Sequence, residues 1–167
     1  MAGTFERLND TCPVNNKSLK AKTGVEGLDH ILLGGLRRGR VYLLEGSPGT
    51  GKTTIAAQFL LEGARQGEPG LYITLSETEE ELRETAQSHG WNFGPPNSIF
   101  ELVPPESLLD DQQQQSLLYS SDLELGETTK RIFQAIEAHP PKRVVLDSLS
   151  EIRLLAQSSL RYRRQVL

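Results

Sequence analysis

The sequence predicts an α/β fold of three layers, in which a mostly parallel β-sheet is covered by helices on both faces. Three observations lead to this prediction. Short apolar runs alternate with amphipathic helical patterns, a Gly-rich loop joins one run to a helix, and polar residues follow several of the runs. Strands that alternate with helices form parallel sheets through right-handed crossovers. Such sheets bind ligands beyond the carboxyl ends of their strands.

The first strand is predicted at residues 41–45, an apolar run that we expect to be buried. A helix should follow over about residues 51–66, because four residues share one face: Ile55, Phe59, Leu60 and Gly63. Residues 71–75 are the second predicted strand. The next helix should start at Thr78, which forms a capping-box pattern with Glu81, and should stop near Gly90.

Residues 99–103 form the third predicted strand, between two pairs of prolines. The stretch 104–126 has no clean period and is predicted to be a mobile loop with a short helical piece. A helix over 127–138 is followed by a buried strand at Arg143–Asp147, and a basic helix is expected from about Ser158.

Composition and charge limit the class of protein. A length of 167 residues favours one domain, which we place at 21–167 after a flexible arm at 1–20. The net charge of −4 argues against a chain-wide nucleic-acid surface but leaves room for a local one. Cys12 is the only cysteine, which excludes an internal disulfide and a cysteine-built metal site and favours the cytoplasm. No apolar run approaches the length of a membrane span.

Residues 46–53 match the phosphate-loop pattern G-x-x-x-x-G-K-S/T between a predicted strand and a predicted helix. Glycines allow backbone N–H groups to converge on an anion at the positive end of a helix. Lys52 would reach the β and γ phosphates, and the Thr53 hydroxyl would bind Mg²⁺. The predicted nucleotide-binding residues are Gly46, Ser47, Pro48, Gly49, Thr50, Gly51, Lys52, Thr53 and Thr54.

Two acidic residues follow other predicted strands at the same edge of the sheet. Asp147 ends the strand at Arg143–Asp147 and is predicted to orient Mg²⁺, although a strand-terminal Asp can also cap the next segment. Glu77 follows the second strand and is predicted to activate water, with a simple place before the helix cap as the alternative. Glu77 and Lys52 are the predicted catalytic residues.

The basic residues near the end of the sequence leave three alternatives open. Arg161, Arg163 and Arg164 surround Tyr162 and could lie on a solvated helix surface, contact a neighbouring subunit, or touch nucleic-acid phosphates. Trp91 is predicted to pack in the core, with a place near a nucleotide base as the alternative.

Several segments in the same order resemble the KaiC-like family of RecA-like P-loop ATPases. They are residues 23–29 (T-G-V-E-G-L-D), Gly34-Gly35-Leu36 with Gly39, the phosphate loop, residues 68–74 (E-P-G-L-Y-I-T), residues 88–91 (S-H-G-W) and residues 143–148. The resemblance covers about residue 22 to the end. It implies a RecA-like ATPase that binds ATP and Mg²⁺ between the subunits of a ring, commonly a homohexamer, with protein partners in a signalling system.

The same resemblance implies that Ser88 and Trp91 lie near the base or ribose. This chain departs from the family pattern after the second strand, where Ser76 and Glu77 stand in place of two glutamates. RecA-like domains also have a strand between the two that carry the phosphate loop and the Mg²⁺-binding Asp, and further basic residues. We therefore expect a fold that is incomplete at the carboxyl end. A DNA recombination or repair ATPase of the RecA or RadA type, and a nucleotide-gated assembly module with negligible turnover, remain alternatives; GTP is not excluded.

Overall fold

The computed structural model describes residues 19–102 and 117–156, and its elements appear in the following order. They are β1 (Lys20–Ala21), α1 (Glu26–Ile31), β2 (Leu36–Arg37), α2 (Lys52–Arg65), β3 (Gly70–Thr74), α3 (Glu79–Ser88), β4 (Ser98–Glu101), α4 (Leu117–Ala138), β5 (Arg143–Asp147) and α5 (Leu149–Ala156). β1 and β2 form a small antiparallel pair. No helix in the described ranges is long and apolar enough to span a membrane.

The central sheet is parallel and has the order β4-β3-β5. All five residues of β3 are buried, as expected for a strand with a neighbour on each side. Its last residue, Thr74, pairs with Glu101 on one side and Asp147 on the other. The carboxyl ends of the three strands therefore meet at one edge, and the predicted α/β class with a parallel sheet is confirmed.

The core lies on both faces of this sheet because side chains alternate along β3. Leu71 and Ile73 join one buried cluster, against which Ile132 and Ile136 of α4 pack. Tyr72 points to the other face and joins the cluster formed with α2 and α3, including Leu60. Helices thus cover both faces, in the three layers predicted.

Four predicted elements are confirmed in type and approximate position. They are α2, β3, α3 and β5. In the capping box of α3, the Thr78 N–H donates to Glu81 Oε2 at 2.8 Å, and the Glu81 N–H donates to Thr78 Oγ1 at 3.3 Å. β4 lies within the third predicted strand except at its start. β5 is only partly buried, with Val144 exposed.

The strand predicted at 41–45 is wrong. These residues form no strand, and Val41 and Leu43 are 97% and 71% exposed. A strand needs neighbouring backbone groups for its hydrogen bonds. Among the described residues, the sheet consists of β4, β3 and β5, and residues 41–45 are paired with none of these strands. An apolar run alone therefore does not make a strand.

The helix predicted at 127–138 begins ten residues earlier than expected, since α4 starts at Leu117. The predicted loop therefore becomes helix from that residue. The segment contains Gly126 but no proline, and one glycine inside a helix costs only about 1 kcal/mol. α5 also precedes the basic helix expected from Ser158.

Several other predictions lie outside the described residues. They concern the arm up to residue 18, the loop at 104–116, and the basic residues Arg161, Arg163 and Arg164. Lys20, at the end of the predicted arm, belongs to β1.

A buried ion pair fixes the amino end of β5. The Arg143 side chain is 1% exposed, and its Nε donates to Glu68 Oε2 at 2.7 Å. Its Nη1 donates to the carbonyls of Lys22 and Phe59 at 2.6 and 2.8 Å. Arg38 binds the other oxygen of Glu68. One guanidinium thus connects the amino-terminal segment, α2, the loop before β3, and β5.

Replacing Glu68 by Gln should lower the free energy of unfolding by about 3 kcal/mol, because the buried Arg143 loses its counter-charge. Chemical denaturation followed by circular dichroism measures this loss. Glu62→Gln is the matched control, since its partner Arg65 is 70% exposed and the expected loss is below about 1 kcal/mol. Equal losses in the two variants would contradict the importance of the buried pair.

The same carboxylate should make stability depend on pH. Burial opposes the ionisation of Glu68, but the hydrogen bonds and positive charges of Arg38 and Arg143 outweigh it and lower its pKa below 4.5. A group with a lowered folded-state pKa stabilises the fold above its unfolded pKa, and that contribution is lost as pH falls through the folded pKa. The stability gap between wild type and Glu68→Gln should be complete above about pH 4.5 and shrink below it. A gap that stays constant on acidification would show that ionised Glu68 is not its source.

Candidate functional site

The loop at residues 46–51 leads directly into α2. Gly51 is the N-cap residue of the helix and has a φ of 86°, a left-handed conformation that glycine adopts without strain. Thr50 Oγ1 donates to the Ser47 carbonyl at 2.8 Å and closes the turn. The predicted loop residues therefore form a tight turn at the start of a helix.

The start of α2 differs from the start of α3 in the side chains that are available to its free backbone N–H groups. α3 has three acidic residues in its first turn and the capping box of Thr78 and Glu81. α2 has no acidic residue in its first turn and no side-chain cap. The first turn of α2 thus supplies no acidic side chain and no side-chain cap to its own N–H groups, and helix N-termini are able to bind anions such as phosphate.

Lys52 lies across the loop that precedes it. Its Nζ donates to the carbonyl oxygens of Gly46 and Ser47 at 3.0 and 2.9 Å. The ammonium group is therefore held against the loop by two backbone oxygens. A phosphate bound to the loop would meet both this charge and the start of α2.

Asp147 lies beside the first turn of α2, although 94 residues separate it from Thr53 in the sequence. Thr53 Oγ1 donates to Asp147 Oδ2 at 3.0 Å. The Tyr72 hydroxyl donates to the same oxygen at 2.6 Å. The structure thus brings together the hydroxyl and the carboxylate that the sequence predicts as the Mg²⁺ site.

Glu77 lies close enough to Asp147 for the two negative charges to interact. Its pKa is raised first by burial and then by the negative charges of Asp147 and Glu81. The turn that carries it is fixed by Thr74, whose Oγ1 accepts from the Glu77 N–H at 3.0 Å and donates to the Glu77 carbonyl at 2.7 Å. A half-buried carboxyl group with a raised pKa next to a second carboxylate is typical of functional sites.

Ser88 and Trp91, which the resemblance associates with the base or ribose, have different surroundings. Ser88 is exposed, and its Oγ donates to the Thr85 carbonyl at 2.7 Å. Trp91 stacks on His89 with ring centroids 4.7 Å apart. Trp91 also lines a small apolar cavity beside Thr53, and Ser88 does not. The packing role predicted for Trp91 agrees with its contact with the α2 and α3 cluster.

No pattern in the sequence singles out Tyr72 as a partner of Asp147. Tyr72 is 1% exposed in the middle of β3, and a buried Tyr hydroxyl usually has a hydrogen-bond partner. This rule predicts that the Tyr72 hydroxyl has a hydrogen-bond partner, but it does not identify that partner. Only the pairing of β3 with β5 brings Asp147 within reach.

Comparison with known proteins identifies a family and several relatives of this chain. A family model described as "ATPase: KaiC" matches residues 21–167. A UPF0273 protein of Pyrococcus horikoshii is 34% identical over 137 residues, which are 80% of this chain and 56% of that protein. A circadian clock oscillator protein KaiC of Parathermosynechococcus lividus is 35% identical over 134 residues, which are 80% of this chain and 24% of that protein.

The two relatives differ in how much of their length is matched. The chain spans about half the length of the UPF0273 relatives, at 56% of the Pyrococcus protein and 57% of one from Thermotoga maritima, and a smaller share of the KaiC clock proteins. The family match nevertheless includes the loop before α2 and the strand that ends at Asp147. The chain therefore belongs to the KaiC ATPase family.

Proposed function

We propose that this chain binds Mg·ATP at the loop of residues 46–53 and hydrolyses it to ADP and phosphate within a ring of like subunits. The observation that carries the proposal is the hydrogen bond between Thr53 and Asp147 at the uncapped start of α2. It joins a phosphate-binding helix terminus to a hydroxyl and a carboxylate. These are the groups that Mg²⁺ uses when most of its other ligands are water and phosphate oxygens.

The division of roles follows from the contacts. The backbone N–H groups at the start of α2 and the Lys52 ammonium hold the phosphates. Thr53 and Asp147 hold Mg²⁺, which supplies charge neutralisation at the phosphates when it is bound. In the described residues, no group of three or more His, Cys, Asp or Glu could hold a metal ion alone.

Glu77 is the group that we assign to the attacking water. Glu77 suits this role because its side chain is half-buried and because burial and the charge of Asp147 raise its pKa. A carboxylate with a raised pKa accepts a proton more readily than a carboxylate with an ordinary pKa. Ser76, which precedes it, is exposed and supplies no second carboxylate.

The finer parts of the proposal rest on the family. We propose residues 21–167 as the ATPase domain, a cytoplasmic location, a homo-oligomeric ring in which neighbours complete the site, and a regulatory or signalling role. The presence of clock oscillator proteins among the relatives supports a regulatory role. Nucleotide-gated assembly with negligible turnover is the second candidate, and the single carboxylate at Ser76-Glu77 favours it.

Replacing Lys52 by Ala should weaken Mg·ATP binding by roughly 100-fold or more, because charged hydrogen bonds to phosphate are lost. Isothermal titration calorimetry with the 167-residue chain measures the affinity. Lys142→Ala is the matched control, since Lys142 is exposed at the amino end of β5, opposite the site. Unchanged affinity in Lys52→Ala would remove the loop from the proposal.

Replacing Glu77 by Gln should leave Mg·ATP affinity within about threefold and reduce turnover by roughly 100-fold or more, because general-base catalysis is lost. Phosphate release is measured on a ring-forming form of the protein, with the wild type assayed first. Glu80→Gln, which changes an exposed carboxylate in the first turn of α3, should keep wild-type turnover. Wild-type turnover in Glu77→Gln would assign the water to another group. Absent turnover in the wild type, with binding retained, would favour the assembly module.

A further inference from the structure

The Asp147 carboxylate is held by two hydroxyl groups that come from different elements. Oδ2 accepts from Tyr72 in β3 at 2.6 Å and from Thr53 in α2 at 3.0 Å. The Tyr72 bond is the shorter of the two. Hydrogen bonds from hydroxyl groups to a carboxylate are strong when they are short and shielded from water.

The Tyr72 ring has little freedom to move. It is 1% exposed, belongs to the central strand of the sheet, and meets the Phe93 ring edge to face with centroids 6.0 Å apart. The cluster around it also contains Leu60 of α2 and Leu82 of α3. The hydroxyl is therefore delivered to Asp147 by a side chain that the core holds in place.

We propose that Tyr72 is a positioning residue, which fixes the Asp147 carboxylate in the orientation that Mg²⁺ binding requires. This inference rests on the proposed function, because it assigns Mg·ATP to the site. It goes beyond the loop and the two metal-binding residues by making a core side chain on another strand a determinant of metal affinity.

The hydrogen bonds from Thr53 and Tyr72 both end on Oδ2 of Asp147. Thr53 uses its hydroxyl hydrogen on Oδ2, so the lone pairs of Thr53 Oγ1 stay available to a cation. Tyr72 holds that same oxygen, so the acceptor of the Thr53 hydrogen bond does not rotate away. Both donors use Oδ2, which leaves Oδ1 able to accept from a metal-bound water without breaking either bond. Orientation by a neighbouring hydrogen bond is how metal ligands are tuned in general.

Tyr72→Phe isolates the hydroxyl, because it keeps the ring and its packing. Calorimetric titration of the 167-residue chain with ATP, once with Mg²⁺ and once with EDTA, separates metal-dependent from metal-independent affinity. We expect the gain in affinity from Mg²⁺ to fall about tenfold in the variant, which corresponds to about 1.4 kcal/mol. Affinity for ATP without metal should stay within about twofold of the wild type.

Tyr42→Phe is the matched control. The Tyr42 hydroxyl is bound only to the backbone of Arg37 in the described contacts, at 2.8 Å to its N–H and 3.2 Å to its carbonyl. This variant removes a tyrosine hydroxyl outside the Asp147 cluster and should keep the full Mg²⁺ gain. Thermal unfolding of both variants without ligand reports any general loss of stability.

The outcomes separate this inference from the proposed function. If the wild type binds ATP and Lys52→Ala does not, but Tyr72→Phe keeps the full Mg²⁺ gain, the role of Tyr72 is overturned and the proposed site stands. Equal loss of affinity with and without metal would make the hydroxyl a structural group only, which also overturns the inference. Wild-type chain that binds no ATP would overturn both. A selective loss of the Mg²⁺ gain in Tyr72→Phe alone supports the inference.

Discussion

β3 and β5 pair in parallel over five residues, from Gly70 with Arg143 to Thr74 with Asp147, and the candidate site depends on that pairing. It determines which side chains follow the strands at one edge of the sheet. It also brings Asp147 beside the buried Tyr72 and beneath the first turn of α2. Without this register, the hydroxyl groups of Thr53 and Tyr72 would not contact the Asp147 carboxylate, which lies 94 and 75 positions away in the sequence.

The two ends of β5 differ in charge: a positive residue lies at the amino end and negative residues lie at the carboxyl end. At the amino end, Arg143 is buried and its charge is met by Glu68 and by backbone carbonyls. At the carboxyl end, Asp147 and Glu77 place negative charge close together, and the pKa of Glu77 rises in part for that reason. A buried charge that keeps its partner avoids the cost of an unpaired buried charge, whereas two carboxylates close together make each other harder to ionise. The strand thus carries a structural ion pair at its amino end and the candidate site at its carboxyl end.

The phosphate loop, the cap of α3, and the strands β3 and β5 could be predicted from the sequence. Each depends on a local rule, such as the glycine spacing of the loop or the capping pair Thr78 and Glu81. The apolar run at 41–45 follows a local rule too, yet it is exposed and forms no strand. Strand formation depends on a neighbour, and the pattern within one segment does not say whether that neighbour is present.

The sequence by itself therefore determined the fold class, the loop with Lys52 and Thr53, and the candidate role of Asp147, because these follow from residue type and short-range order. The tertiary structure decided that the Asp147 carboxylate accepts from Tyr72 and that Arg143 joins Glu68 to two backbone segments. Those contacts join residues that lie between 75 and 121 positions apart in the sequence. They depend on strand register and on which faces pack together, which are properties of the assembled fold and not of any one segment.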